Sequence, residues 1–544
     1  MIPKPNNSAL LLLSIGAIAA PLAATSAPKN QKKNAKPNII YIMADDHTSQ
    51  AIGAYNSHLS NLNPTPNIDA LAQEGIVFDN VFCNNSISTP SRASIMTGQY
   101  SHNNGVLTLE DELNPQQQHL AREMKELGYQ TAIVGKWHLH CEPSEFDYYS
   151  VFVQSQEQGY YFNPQLAESD NTQQKFPENT VQYEGHSTDI ITDITIDWLD
   201  EKRDSEKPFF VMHHFKAPHG YFEYHSRYAD YLEDVDIPVP ETLFNREGFG
   251  SIATRGEKNS LDHFIGTSVS NRNVHYNYAD YFGFDLGSDE KNTIAAHNKY
   301  MKDYLRCVKG IDDNLARLFQ YLKDEGLWEN TIIIYTADQG MMLGEHDLQD
   351  KRWMYEESLR MPYIMRVPGG KYEAGSHNEL MIQNVDFAPT ILSLAGAEKT
   401  PAYMQGEDFS EVFSGGDIEA DWRDAIYYRY WMHMSNHNVP AHIGIRTKDY
   451  KLIFFYGRHY NPDRYGDKTL GRFSNTSLVV PTVPAFELYD MRNDPLETTN
   501  IAEDPAYAEV LEKLKGELLA LKVKLGDLDI TTPEIKRLMD SYLK

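Results

Sequence analysis

Cysteine is nearly absent from the 544-residue chain: only Cys83, Cys141 and Cys307 occur, an odd number without metal-site spacing. That excludes a disulfide-stapled scaffold and a cysteine zinc centre. Thiols so scattered in a large chain are expected to be buried and inert, and no bridge is assigned. Positive charge is short as well. Against 77 Asp and Glu stand 49 Lys and Arg, a net charge of −28. Such a field repels nucleic acid and anionic membrane, so neither is expected as a partner. It also repels a sulfated or phosphorylated substrate, which would need a local source of positive charge. After residue 26 no apolar run is long enough to cross a bilayer, which takes ~20 residues.

What is present is enough for a large core: 41% apolar residues and 12% aromatics, which excludes general disorder. Residues 1–26 read as a secretory leader, with Lys4 ahead of an apolar stretch from Ala9 to Ala24 and small residues Ala24-Thr25-Ser26 for cleavage. No cysteine follows to take a lipid, so an exported protein, periplasmic or secreted, is expected. Residues 27–37 form a polar lead-in. The expected organisation is a catalytic domain over 38–400 and a smaller C-terminal subdomain over 401–544.

Four apolar segments read as buried strands, and each ends in polar or charged residues. Asn38 to Met43 leads into Ala44-Asp45-Asp46, and Thr131 to Val134 into Gly135-Lys136-Trp137-His138. Phe209 to Phe215 leads into Lys216-Ala217-Pro218-His219, and Thr331 to Tyr335 into Thr336-Ala337-Asp338-Gln339-Gly340. Helical spacing of Leu120, Met124 and Leu127, closed by Gly128, lies between two of them. This is an α/β pattern: a large, mostly parallel mixed sheet flanked by helices, with sites at the carboxyl ends of its strands. Residues near 243–295 are polar and rich in Gly, Asn and Tyr, and read as an irregular insertion. After residue 400 short strands at 444–446 and 451–454 precede a helix with Leu511, Leu514, Leu518 and Leu521 on one face, an α+β subdomain.

The most specific segment is Ser88-Thr89-Pro90-Ser91-Arg92-Ala93-Ser94-Ile95-Met96-Thr97-Gly98. It resembles the signature of the formylglycine-dependent (type I) sulfatases, whose fold is alkaline-phosphatase-like. Other landmarks of that family occur in order: Ala44-Asp45-Asp46-His47, Thr65-Pro66-Asn67-Ile68-Asp69, Gly135-Lys136-Trp137-His138-Leu139 and Lys216-Ala217-Pro218-His219. Asp338-Gln339-Gly340, Gly344-Glu345-His346, Lys351 and Leu488-Tyr489-Asp490 complete the series.

The resemblance implies a chemistry. Ser88, a weak nucleophile as a hydroxyl, would be oxidised to formylglycine by a radical-type sulfatase-maturing enzyme, and its hydrate would attack sulfur. Asp45, Asp46, Asp338, Gln339 and position 88 would surround one Ca²⁺, which favours such hard oxygen ligands. Arg92 would stabilise the diol, and Lys136 and Lys351 would hold sulfate oxygens. His138 would take the proton that releases sulfate. His219, with Lys351, would protonate the departing alcohol.

The substrate signal is thinner. His346, Arg429, His437 and His442 join Lys136 and Lys351 as expected substrate contacts, because Arg and His can bind ring hydroxyls or neighbouring sulfates. Aromatic segments at Phe146 to Tyr149 and Gly159 to Pro164 resemble the carbohydrate-acting branch of the family. The expected substrate is a sulfated oligosaccharide, algal (carrageenan, fucoidan or ulvan) on the acidic exported character. Glycosaminoglycan or mucin glycans are the alternative. Two further readings stay open: a phosphoesterase using Ser88 directly, and a catalytically silent glycan binder.

Overall fold

The computed structural model describes residues 36–244, 248–256, 268–270, 289–416, 418, 422–435, 437–461 and 481–544. The leader, most of the lead-in and much of the 243–295 insertion lie outside the described residues.

Ten strands make the main sheet: β1 (Asn38–Ala44), β2 (Ile76–Phe78), β3 (Gln130–Gly135), β4 (Tyr148–Phe152), β5 (Gln165–Glu168), β6 (Thr180–Gln182), β7 (Phe209–His214), β8 (Thr331–Ala337), β9 (Tyr363–Arg366) and β10 (Ser376–Asn378). Their order across the sheet is β10-β2-β9-β8-β1-β7-β3-β4-β5-β6. The middle five, β8-β1-β7-β3-β4, are parallel. Antiparallel pairs flank them, β9 on β8 at one side and β5 on β4 at the other. All of β1 is buried, because helices cover both faces, and so the strand reads as a continuous apolar run. Alternation still operates within it. Ile39, Tyr41 and Met43 enter one core while Ile40, Ile42 and Ala44 enter the other.

The helices follow local rules. α1 (Pro66–Glu74) starts at Pro66, where a missing N–H costs nothing. Asp312, from the 35-residue helix Glu290–Asp324, accepts the free N–H groups of Asn67 and Ile68 at 2.9 Å. α2 (Ser88–Thr97) is buried at every position. α3 (His119–Glu126) buries Leu120 and Met124 and ends at Gly128, whose φ of 87° and N–H to Lys125 close the last turn. All three cysteines are buried and unbridged.

The C-terminal sheet is antiparallel, in the order β11 (Ala425–Tyr430), β12 (His442–Thr447), β13 (Tyr450–Phe455), β14 (Ala485–Asp490). Helix α4 (Ala508–Lys524) lays Leu514 and Leu518 against Ile443, Ile445 and Leu452. Strand alternation then corrects one expectation. Tyr428 and Tyr430 of β11 face the main core, whereas Tyr427 faces the α4 side. Arg429 points the same way as Tyr427 and is fully engaged: it pairs with Asp527 (2.6 and 2.7 Å) and Asp529 (2.7 Å) and lies 3.5 Å over the Trp431 ring. It anchors the chain beyond α4 and is buried, turned to these two carboxylates. Burial pushes the Asp527 carboxyl up, but Arg429 and Lys522 outweigh it and hold it down at about 2.

Removing one partner of such a buried pair costs about 3–5 kcal/mol. Arg429→Ala should therefore lower the thermal unfolding temperature markedly, and an unchanged temperature would contradict this assignment. Because the folded Asp527 pKa is depressed, its contribution is complete above the ordinary carboxylate range and is lost as pH falls towards about 2.

Candidate active site

Because β8, β1, β7 and β3 are spatial neighbours, the residues just past their carboxyl ends fall in one row. Asp45 and Asp46 come directly after β1, Asp338 and Gln339 after β8, Lys136 after β3, and His219 lies in the turn beyond β7. Asp46 has a φ of 67°, a left-handed bend at the strand end. Its N–H donates to Asp338 Oδ1 (3.2 Å), which ties the two strand ends together.

Ser88 opens α2 from above this row. Its hydroxyl donates to Asp45 Oδ1 at 3.1 Å. One helical turn on, on the same face, Arg92 donates through Nε to Asp338 Oδ2 (3.0 Å) and through Nη1 to the Lys136 carbonyl (2.6 Å). Lys136 places its ammonium on Asp45 and donates to Gln158 Oε1 at 2.6 Å. Lys351 donates to Asp46 Oδ2 at 2.5 Å. His219 Nε2 stands 3.8 Å from the same oxygen, and its carbonyl accepts from Tyr161 at 2.7 Å. The side chains expected to share a site are thus brought together, with His138 two residues past Lys136 and 3.3 Å from Gln158.

Three carboxylates (Asp45, Asp46, Asp338) and three cations (Arg92, Lys136, Lys351) are all buried here. Burial alone pushes Asp45 up, but Lys136, His219, Arg92 and Lys351 together hold it well below the usual carboxylate range. Asp338 goes the other way, pushed up to about 7 by burial and by Asp45. Asp46 is also raised, by burial first, with Lys351 opposing. Burial and Lys136 push His138 well below the usual imidazole range, and burial and Lys351 do the same to His219. Two raised carboxylates mark a cluster that still has room for positive charge.

The donor set fits a hard divalent cation. Ligand atoms of Asp45, Asp46 and His219 lie within 4.8 Å of one another. Gln339 Nε2 donates to Asp46 Oδ1 (2.5 Å), while its Oε1 is buried without a hydrogen-bond partner among the described residues. A buried amide oxygen left unused beside three carboxylates is a spare oxygen ligand.

Two other expected contacts are taken up in packing. His346 stacks on Phe249 at 3.8 Å, with ring planes 3° apart. His442 is covered by Trp353, Tyr428 and Phe455 and directs Nδ1 to the Pro440 carbonyl at 2.8 Å. Burial pushes each imidazole down to about 3. A sequence shows histidines in the right stretch but not which ring faces are covered.

His437 differs: it is partly exposed, with Nδ1 3.8 Å from Asp350. Asp350 and Arg352 flank Lys351, pair with each other, and both have left-handed backbones (φ 76° and 87°). Tyr428 fixes this turn against the nucleophile segment, donating to the Arg352 carbonyl (2.7 Å) and accepting from the Ser86 N–H (3.2 Å). Asp350, Arg352 and Gln158 were not expected from sequence. Charged neighbours on both sides of Lys351 were the available signal for the first two, and Gln158 gave none.

Comparison with known proteins shows the family. The Sulfatase family matches residues 37–397, and the family described as N-sulphoglucosamine sulphohydrolase, C-terminal, matches 344–468. An N-acetylglucosamine-6-O-sulfatase of Bacteroides thetaiotaomicron is 37% identical over 94% of this chain and 90% of its own length. An ulvan-active sulfatase of Formosa agariphila is 26% identical over 92% of this chain and 83% of its own. A solved structure in complex with its substrate, D-glucosamine-2-N,6-O-disulfate, superposes with a TM-score of 0.77 at 36% identity, covering 91% of this chain and 99% of that one. With two thirds of its length matched and its strand-end cluster in place, the chain belongs to the sulfatase family, enzymes that hydrolyse sulfuric esters.

Proposed function

We propose that the protein is an exported sulfatase that removes 6-O-sulfate from a glucosamine or N-acetylglucosamine residue of a sulfated glycan, using formylglycine made from Ser88 and one Ca²⁺. The observation that carries the chemistry is the buried set around Ser88, where Arg92, Lys136 and Lys351 balance Asp45, Asp46 and Asp338. Asp45, Asp46, Asp338 and Gln339 would hold the ion, beside position 88. When present, formylglycine supplies a hydrated aldehyde as nucleophile, and Ca²⁺ supplies positive charge for the sulfate oxygens.

The chain's own residues do the rest. Arg92 orients position 88 from one turn below. Lys136 and Lys351, now on Asp45 and Asp46, would bind the ester's nonbridging oxygens once those carboxylates hold an ion. His138 accepts a proton in the step that frees sulfate. His219 and Lys351 both stand on Asp46 Oδ2, and this pair would supply the proton to the departing alcohol. A serine at position 88, not a cysteine, points to a radical-type maturing enzyme, and export rests on the reading of residues 1–26.

For the substrate, support comes from the relative at 37% identity and from the substrate of the superposed structure. Algal polysaccharide rested on composition alone, and the ulvan-active relatives are more distant. Asp350, Arg352 and His437 stand beside Lys351 as a polar group suited to sugar hydroxyls.

Mass spectrometry of the Ser88 peptide from the native host should show loss of two hydrogens and aldehyde trapping. Active enzyme with an unmodified serine would refute the mechanism. Ser88→Ala should abolish turnover with thermal stability unchanged. Ca²⁺ should raise the unfolding temperature of chelator-treated protein, by a free energy of about 2.7 kcal/mol at a hundredfold excess over Kd; no shift would remove the ion from the account. Arg352→Ala should raise KM for 6-O-sulfated glucosamine about 10–100-fold, as expected for a lost charged hydrogen bond. An unaltered KM would exclude Arg352 from the sugar site.

A further inference from the structure

Two consecutive residues of one tight loop hold the two histidines that come after Lys136. Glu157 accepts from the His140 backbone N–H at 3.1 Å and lies 3.7 Å from His140 Nδ1. Gln158 reaches into the buried site, where its Oε1 accepts from Lys136 Nζ (2.6 Å) and its Nε2 lies 3.3 Å from His138 Nε2. The backbone beneath them is unusual. Ser155, Gln156 and Glu157 have φ of 52°, 56° and 65°, and the Gly159 N–H closes the loop on the Gln154 carbonyl at 3.0 Å. Three successive non-glycine residues in the left-handed region are disfavoured by Cβ sterics. Such a backbone persists where surrounding contacts over-determine it, as at a functional site.

A count of donors and acceptors fixes what Gln158 does. An ammonium only donates, so the Gln158 atom that faces Lys136 is the amide oxygen. Its amide nitrogen then faces His138, and an amide nitrogen also only donates. His138 Nε2 must therefore present a lone pair, which leaves the ring proton on Nδ1. His138 Nδ1 is buried without a hydrogen-bond partner among the described residues, so no contact there opposes this choice.

We propose that Gln158 is a positioning residue that relays the orientation of the Lys136 ammonium to His138, holding His138 in its Nδ1-protonated form with the Nε2 lone pair as the base. This rests on the reading in which His138 takes a proton during sulfate release. In that step a hydroxyl at position 88 would take the place of the Gln158 N–H at Nε2: its O–H bond would break as an Nε2–H bond forms, the freed pair would close the aldehyde C=O, and the C–O bond to sulfate would break with its electron pair leaving on sulfate. The Nδ1–H bond is untouched, and the ring becomes the cation. A wrong tautomer would place the lone pair on the far side of the ring, and general-base catalysis of this kind is worth about 10²–10⁴-fold.

The isosteric variant Gln158→Glu separates this role from mere packing. A carboxylate accepts on both oxygens, so it still binds Lys136 but requires His138 Nε2 to donate. Full-length, Ca²⁺-loaded protein carrying Ser88→Ala and ¹⁵N-labelled histidine should show His138 protonated on Nδ1, the signal being identified by its loss in His138→Ala. Adding Gln158→Glu should move the proton to Nε2, and adding Gln158→Leu should give a mixture. In matured enzyme Gln158→Glu should lower kcat about 10²-fold with KM little changed. An Nε2-protonated His138 in the parent, or one tautomer throughout the series, would overturn the proposal. Because the nitrogen signals are read in protein that does not turn over, failure of the chemistry assigned to Ser88 would show only in the rates.

Discussion

Three carboxylates, Asp45, Asp46 and Asp338, are buried side by side at the ends of two adjacent parallel strands, and the rest of the site answers to that burial. Taking one such charge out of water has an effective cost of several kcal/mol after relaxation, so each must be matched where it stands. Lys136, Lys351 and Arg92 do the matching, each from a different element. The arrangement is neutral but not settled, since Asp46 and Asp338 remain raised. A bound divalent cation would relieve both and set the two ammoniums free for an anion. The global charge of −28 then coexists with an anionic substrate, because the positive charge is local.

The same constraint explains why so much was legible in the sequence. A parallel strand buried on both faces must be mostly apolar, and charged residues gather just past its end. The segments ending at Asp45, Lys136, His219 and Asp338 therefore stand out as apolar runs with charged termini. The helix closed at Gly128 and the leucine face of α4 are legible for the same reason, since periodicity reports which face is buried. Order along the chain supplied the rest of the catalytic set.

What escaped depends on side-chain facing, which sequence does not carry. Arg429, His346 and His442 lie in the right stretches, yet alternation along β11 turns Arg429 to Asp527 and Asp529, and aromatic rings cover the two histidines. Asp350 and Arg352 escaped because left-handed backbone at both positions is what gathers them around Lys351. Gln158 escaped because an uncharged amide twenty residues past His138 has no pattern to betray it; only the loop that folds it back does. These are the positions where local backbone preference is overridden, and they cluster at the site.

The central claim is that the two lysines now resting on Asp45 and Asp46 are held in reserve for the sulfate group. A high-resolution crystal structure of Ser88→Ala protein with Ca²⁺ and glucosamine 6-sulfate measures this directly. The account predicts an ion on Asp45, Asp46, Asp338 and Gln339, with the Lys136 and Lys351 ammoniums moved onto sulfate oxygens. Ammoniums still on their carboxylates, with the sulfate bound elsewhere, would contradict it.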